Sequence, residues 1–210
     1  MRTKLLPIAQ EGWKYLACLA ALLLITLLFD FDFLSFITTI ALLFLAYSFR
    51  NPERALPTFE NASVISPVDG VVKSIEELVD SEYAYKVEVQ SSYTDVSVLR
   101  SPFNASIRSL ENYHGTRVSP SSKLFTDLNE KLEIVFLDAS GNSIKVVHRL
   151  KQSFAPVSTD LILAQKIHQT ARYGVMVNGV TTIYLPHNFR VSVNIGNELK
   201  AAESLMGYFS

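Results

Sequence analysis

Arg172-Tyr173-Gly174-Val175-Met176-Val177-Asn178-Gly179-Val180-Thr181-Thr182-Ile183-Tyr184-Leu185-Pro186 reads as a tight glycine-containing turn that runs into a β-branched strand and stops at Pro186. Asn178-Gly179 is a strong turn signal, because both residues tolerate the positive φ of a two-residue hairpin. Short segments of the same β type recur through the chain, at residues 71–75, 85–90, 95–100, 106–110, 132–138, 144–150, 181–185 and 190–194. Tyr85-Lys86-Val87-Glu88-Val89-Gln90 and Arg190-Val191-Ser192-Val193-Asn194 alternate, which gives each one wet and one buried face. Residues 161–170 read as a short helix or a loop. Many short strands between turn signals predict a mainly β domain, a sandwich or barrel rather than a parallel α/β sheet.

The N-terminal quarter is different. Two apolar runs, over residues 13–29 and 33–49, each have about 17 residues, near the lower limit for a helix crossing a bilayer. Asp30-Phe31-Asp32 separates them, and the few Ser and Thr within the second run can bond to their own helix. The pattern predicts a two-helix transmembrane hairpin over residues 1–50 and a β domain over residues 51–210, joined by the Pro-containing exit Arg50 to Pro57. Arg2, Lys4 and Lys14 flank the first run and Arg50 and Arg54 follow the second. Basic ends around an acidic turn place both termini, and the β domain, on the cytoplasmic side of the inner membrane. A cleaved signal peptide fits less well, since a second apolar run follows at once without a small-residue cleavage pattern. A buried helical hairpin of a soluble core is the remaining alternative.

The chain is 49% hydrophobic with a net charge of -1, and a charge near zero argues against nucleic acid as a partner. Its single cysteine, Cys18, excludes an internal disulfide and a thiolate metal site. There is no HExxH, CxxC, P-loop or dinucleotide fingerprint, so no metal and no cofactor is expected. His114, His148, His168 and His187 are widely spaced and read as ordinary loop or strand histidines. Ser66-Pro67-Val68-Asp69-Gly70-Val71-Val72 is a turn opening a strand, and on residue chemistry alone needs no function.

Six blocks in order resemble the phosphatidylserine decarboxylase family, in its shorter, two-helix membrane-anchored bacterial and archaeal branch. Phe49-Arg50-Asn51-Pro52-Glu53-Arg54 is similar to that family's Phe-Arg-Asp-Pro-Glu-Arg, and Ser66-Pro67-Val68-Asp69-Gly70 to its Ser-Pro-Ala-Asp-Gly. Asp95-Val96-Ser97-Val98-Leu99-Arg100-Ser101-Pro102 resembles Asp-Val-His-Val-Asn-Arg-x-Pro without a gap, and Tyr113-x-Gly115 continues it. Arg172-Tyr173-Gly174 and Tyr184-Leu185-Pro186 match the blocks around the processing site. The resemblance implies a proenzyme that cuts itself at a Gly-Ser bond, whose serine becomes a pyruvoyl group. That ketone forms a Schiff base with phosphatidylserine and draws electrons as carbon dioxide leaves. An aspartate and a histidine assist the proton transfers.

Against that pattern, the aspartate is kept as Asp69, while Ser97 stands at the histidine position. Gly179 and Val180 stand at the processing site, where the family block is about one residue longer and no placement of the gap supplies a serine. Loss of the nucleophile together with its histidine predicts loss of the activity, because such units are grossly non-additive. The expectation is a phospholipid-metabolism relative that neither processes itself nor catalyses, binds a phosphatidylserine-like lipid, and pairs with a second copy or an active relative. Two alternatives stand beside it. One is an active, pyruvoyl-bearing decarboxylase making phosphatidylethanolamine, with Thr181 or a neighbour as atypical nucleophile. The other is a biotinyl- or lipoyl-like carrier module, suggested by Pro67 to Val72 and Val193-x-x-Gly196, although no lysine stands at a matching hairpin tip. The resemblance further implies that Asp69, Ser97 and Val180 surround one site.

Overall fold

A computed structural model describes residues 6–54, 62–79 and 81–210, so the end of the expected 50–57 linker lies outside the described residues. Two compact units divide the chain, Met1–Glu53 and Arg54–Ser210.

In the first unit, a 3-10 turn at Gln10–Gly12 leads into α1 (Trp13–Leu28), followed by α2 (Asp32–Ser48). Both helices fall within a residue or two of the apolar runs. The acidic turn closes α1 as the sequence dictates: Asp30 takes φ 53, Phe31 N–H donates to Thr26 O at 2.9 Å, and Asp30 N–H donates to Leu27 O at 3.4 Å. Asp32 opens α2, where its charge favours the positive end of the helix dipole. The hydroxyls of Thr26, Thr38 and Thr39 bond to carbonyls three or four residues back in their own helices. Ala9 N–H donates to Phe49 O and Asn51 N–H to Pro7 O, which ties the two outer ends of the hairpin together. Gln10–Leu28 is long and apolar enough to cross a membrane, with a mean hydropathy of 1.6, and Asp32–Ser48 is a shorter apolar helix.

The second unit is mainly β. Its first strands are β1 (Ser63–Ile65), β2 (Gly70–Glu77), β3 (Tyr85–Gln90), β4 (Val98–Arg100) and β5 (Ala105–Tyr113). A single-turn helix, α3 (Phe125–Leu128), precedes β6 (Lys131–Leu137), β7 (Ser143–Leu150), β8 (Ser158–Thr159) and β9 (Lys166–Ile167). Then follow β10 (Arg172–Val175), β11 (Gly179–Leu185), β12 (Phe189–Val191), β13 (Glu198–Leu199) and β14 (Leu205–Phe209). Among the described residues they form an eight-stranded sheet in the order β13-β2-β3-β11-β7-β6-β5-β9 and two three-stranded sheets, β1-β14-β12 and β4-β10-β8. Residues 161–170 are a loop that contains β9.

Alternation does the sorting. Val87 and Val89 of β3, Leu132, Ile134 and Phe136 of β6, and Ile144 and Val146 of β7 are fully enclosed, and their neighbours in sequence are more exposed, Val147 alone being buried on the other face. A chain of rings joins the three sheets: Tyr173 to Phe136 at 5.7 Å, Phe136 to Phe103 at 6.2 Å, Phe103 to Phe209 at 5.6 Å and Phe209 to Phe189 at 5.5 Å between centroids.

The opening stretch is not a hairpin. β10 pairs with β4 and β8, whereas β11 pairs with β3 and β7, so residues 176–178 cross from one sheet to another. Only Asn178 of the pair Asn178-Gly179 takes the left-handed conformation, with φ 60. Gly179 serves close packing instead, since a Cβ there would lie 2.8 Å from Arg149 O and against Met176 Sδ. The strand expected over residues 95–100 is also shorter, because only Val98–Arg100 has a partner, in β10. Gly174 lies where β10 runs against β8, and a Cβ would collide with the Ser158 carbonyl, which is backbone and cannot swing away. Gly174→Ala is expected to cost about 1–3 kcal/mol, read as a lower denaturation midpoint by circular dichroism.

Candidate functional site

The turn 176–178 is held from three directions. Met176 N–H donates to Ser97 O at 2.8 Å, Lys151 N–H donates to Asn178 O at 3.1 Å, and Ser91 N–H donates to Gly179 O at 2.9 Å. Asn178 adds its own side chain, donating from Nδ2 to Gln152 O at 2.5 Å. Ser91, buried just past β3, reaches the other way as well and donates from Oγ to Asp69 O at 2.5 Å. On the sheet, Gln90 pairs with both Val71 and Val180. The backbones at positions 69 and 179 are thus bridged by one serine, and that at 97 joins the turn through Met176.

Asp69 is buried, and both its carboxylate oxygens are engaged. Oδ1 accepts from Ala201 N–H at 2.8 Å, and Oδ2 accepts from Arg54 Nη2 at 2.5 Å. Arg54 also meets Glu203 at 3.3 Å, so the carboxylate joins the start of this unit to its C-terminal segment. An aspartate held by a guanidinium and a backbone N–H is positioned as a tie, each oxygen already accepting one hydrogen bond. Ser97 is buried immediately before β4. Val180 is 8% exposed and brings only methyl groups to its place on β11.

The first hydroxyl after the turn along the chain, that of Thr181, faces the core. Thr181 pairs with Val89 and His148, both fully buried, so its side chain lies on the core face, opposite Val180. Thr181 Oγ1 is 2.8 Å from His148 Nδ1, and His148 Nε2 is 2.6 Å from the Tyr173 hydroxyl. In a neutral imidazole one nitrogen donates and the other accepts, so the two hydroxyls take opposite roles. Burial pushes His148 down to about 3 and raises Tyr173 above the ordinary phenol value. A Thr-His contact at this distance has the geometry of an activated nucleophile. Its strength is wrong: an imidazole at about 3 lies some four pH units below neutrality, about 5 kcal/mol against taking up a proton there.

Residue types alone did not single out Ser91, Arg54 or Tyr173 for these roles. His148 looked ordinary because its partners lie 25 and 33 residues away. The available signal was a lone histidine on the apolar face of an alternating strand. Among the described residues no cluster of His, Cys, Asp or Glu could hold a metal ion.

Two outcomes follow from this geometry. Asp69→Ala strips Arg54 of its closer carboxylate while leaving Glu203, so a loss of about 1.5–3 kcal/mol is expected in chemical denaturation. His148 stays neutral when folded but titrates near 6.5 when unfolded. Its contribution is complete above pH 6.5 and lost as pH falls towards 3, at roughly 1.4 kcal/mol per pH unit. In His148→Gln that part of the slope of stability against pH should disappear, as measured by denaturant titrations at pH 4 to 7.

Comparison with known proteins agrees with the resemblance read from the six blocks. The model of a family described as phosphatidylserine decarboxylase matches residues 41–207. A phosphatidylserine decarboxylase proenzyme of Desulfotalea psychrophila is 28% identical over 206 residues, covering 96% of each chain. Proenzymes of the same description from Paraburkholderia xenovorans and Geotalea uraniireducens are 27% and 28% identical, over 95% and 99% of each chain. A match over most of the length, with the strands that frame the 176–178 turn inside it, decides the matter: this chain belongs to the phosphatidylserine decarboxylase family.

Proposed function

We propose that the protein is a membrane-anchored, non-self-processing member of the family, which binds a phosphatidylserine-like lipid and acts in phospholipid metabolism through binding or regulation rather than catalysis. One observation supports it above the rest. The turn at Asn178-Gly179-Val180 has no hydroxyl, and the next one, on Thr181, is locked in the core against His148. Ser97, in place of the expected histidine, removes the usual base from the same turn. Asp69, Ser97, Gly179 and Val180 are then the remnant of one site, with Asp69 a structural tie.

Two short apolar helices with basic outer ends and an acidic connection support anchoring in the inner membrane, with both termini and the β domain on the cytoplasmic side. The 1–50 and 51–210 division then separates anchor from working domain. A second copy of the chain or an active relative is the protein partner this role calls for.

The rival reading is an active decarboxylase with Thr181 as nucleophile, and the 2.8 Å contact with His148 favours it. The imidazole's lowered basicity and the unbroken pairing of Val180 and Thr181 with strands on both sides oppose it. A carrier module receives no support from a lysine-bearing hairpin tip. Expressed in membranes, the protein is expected to run as one chain of 210 residues. Fragments of about 180 and about 30 residues with a blocked new N-terminus, and hydrazine-sensitive carbon dioxide release from phosphatidylserine, would establish the rival instead.

A further inference from the structure

The two outer ends of the helical hairpin are joined to each other. Ile8 forms a β-bridge with Arg50, Ala9 N–H donates to Phe49 O at 2.8 Å, and Asn51 N–H donates to Pro7 O at 2.7 Å. Asn51 adds its side chain, donating from Nδ2 to Leu6 O at 2.9 Å. Beside these ties lies a cavity of about 290 Å³, lined by Leu6, Pro7, Arg50, Asn51, Pro52 and Glu53. All of them belong to the first unit. Ligand sites run from roughly 300 to 1,000 Å³, so this one has room for a lipid headgroup and not for a whole lipid.

The neighbours fix its level along the hairpin. Trp13 opens α1, Tyr47 stands in the last turn of α2, and both rings are exposed. Exposed Trp and Tyr at the ends of membrane helices sit at the headgroup level of a bilayer. Between these rings and the Asp30-Phe31-Asp32 turn, α1 and α2 expose Leu24, Ile25, Phe36, Ile40 and Leu43, a surface suited to acyl chains. Residues 6–7 and 50–53 lie beyond the rings, on the polar side.

The walls of the cavity are of two kinds. Leu6, Pro7 and Pro52 are apolar, while Arg50 and Glu53 bring opposite charges. Arg50 is held in place, with Nη1 donating to Tyr47 O at 3.0 Å and the guanidinium 4.0 Å over the Tyr47 ring. Its planar fork of N–H donors matches the geometry of a phosphate. Asn51 is buried, and its Oδ1 has no hydrogen-bond partner among the described residues. A buried acceptor left unmatched is a place for a donor to arrive.

We propose that this cavity binds the headgroup of a zwitterionic phospholipid, with the phosphate on Arg50 and a primary ammonium towards Glu53 and Asn51. A cation and an anion lining one cavity complement a headgroup that carries both charges. A headgroup with phosphate alone sets its anion against Glu53, and a choline headgroup has no N–H to give. The acyl chains then follow the apolar faces of α1 and α2. This site is separate from the one proposed at the 178–180 turn, and it shares with that reading only the placement of the hairpin in a membrane.

The test uses the full chain in dodecyl maltoside, titrated with dioctanoyl phosphatidylethanolamine, phosphatidylserine, phosphatidylcholine or phosphatidylglycerol, with bound lipids counted by native mass spectrometry. The ethanolamine and serine lipids are expected to bind about tenfold more tightly than the other two. Arg50→Gln should weaken phosphatidylethanolamine binding about tenfold. Glu53→Gln should weaken it too while strengthening phosphatidylglycerol, a change of preference that loss of structure does not produce. Equal binding of all four lipids, or phosphatidylethanolamine binding unmoved by both substitutions, would overturn the proposal. Glu53 is exposed, so that arm stands even where Arg50→Gln loosens the end of the hairpin. The reading at the turn fails separately, since it requires phosphatidylserine binding that survives both substitutions.

Discussion

The pairing of β11 between β3 and β7 is the constraint from which the rest of the site follows. Residues 180–185 run antiparallel to 90–85, and residues 179–184 to 150–145, without a break in register. A strand with a partner on each side has no freedom to rotate, so every side chain is assigned a face by its parity. Val180 and Thr182 fall on one face and Thr181 on the other. A one-residue slip would reverse all three. That parity turns a threonine adjacent to the candidate processing turn into a core residue facing a histidine.

The Thr181-His148-Tyr173 group is a closed polar network inside an apolar core. Each hydroxyl finds a ring nitrogen, so none of the polar atoms that join the three residues is left unpaired, and burial then keeps the imidazole and the phenol neutral. The same low-dielectric surroundings that make the hydrogen bonds strong make the histidine a poor base. Geometry suited to catalysis and basicity suited to catalysis are separate properties here, and the second is missing.

Much of the architecture was legible in order along the chain. Two apolar runs broken by Asp30-Phe31-Asp32 specify two helices and their connection, because a positive φ and a helix-opening acid at that place leave few alternatives. Alternation in 85–90, 132–138 and 144–150 marks strands with one buried face, and those strands form the centre of the large sheet. The shortest strands, such as Ser158–Thr159 and Glu198–Leu199, were not legible, since two residues have no period and exist only through their partners. The Asn178-Gly179 hairpin failed for a related reason. Turn chemistry reports which φ values a pair tolerates, and not whether the strands on either side meet each other or cross to different sheets.

By itself the sequence determined the class of the domain, the helical hairpin before it, the family blocks, and the absence of a hydroxyl from the turn at residues 178–180. These follow from periodicity, local backbone preference and residue identity, which are written along the chain. The tertiary structure alone decided that Asp69 is held by Arg54 and Ala201, that Ser91 bridges 69 and 179, and that Thr181 faces His148. Each of these joins residues between 15 and 132 positions apart. Such contacts depend on strand order and register, and no local pattern specifies either.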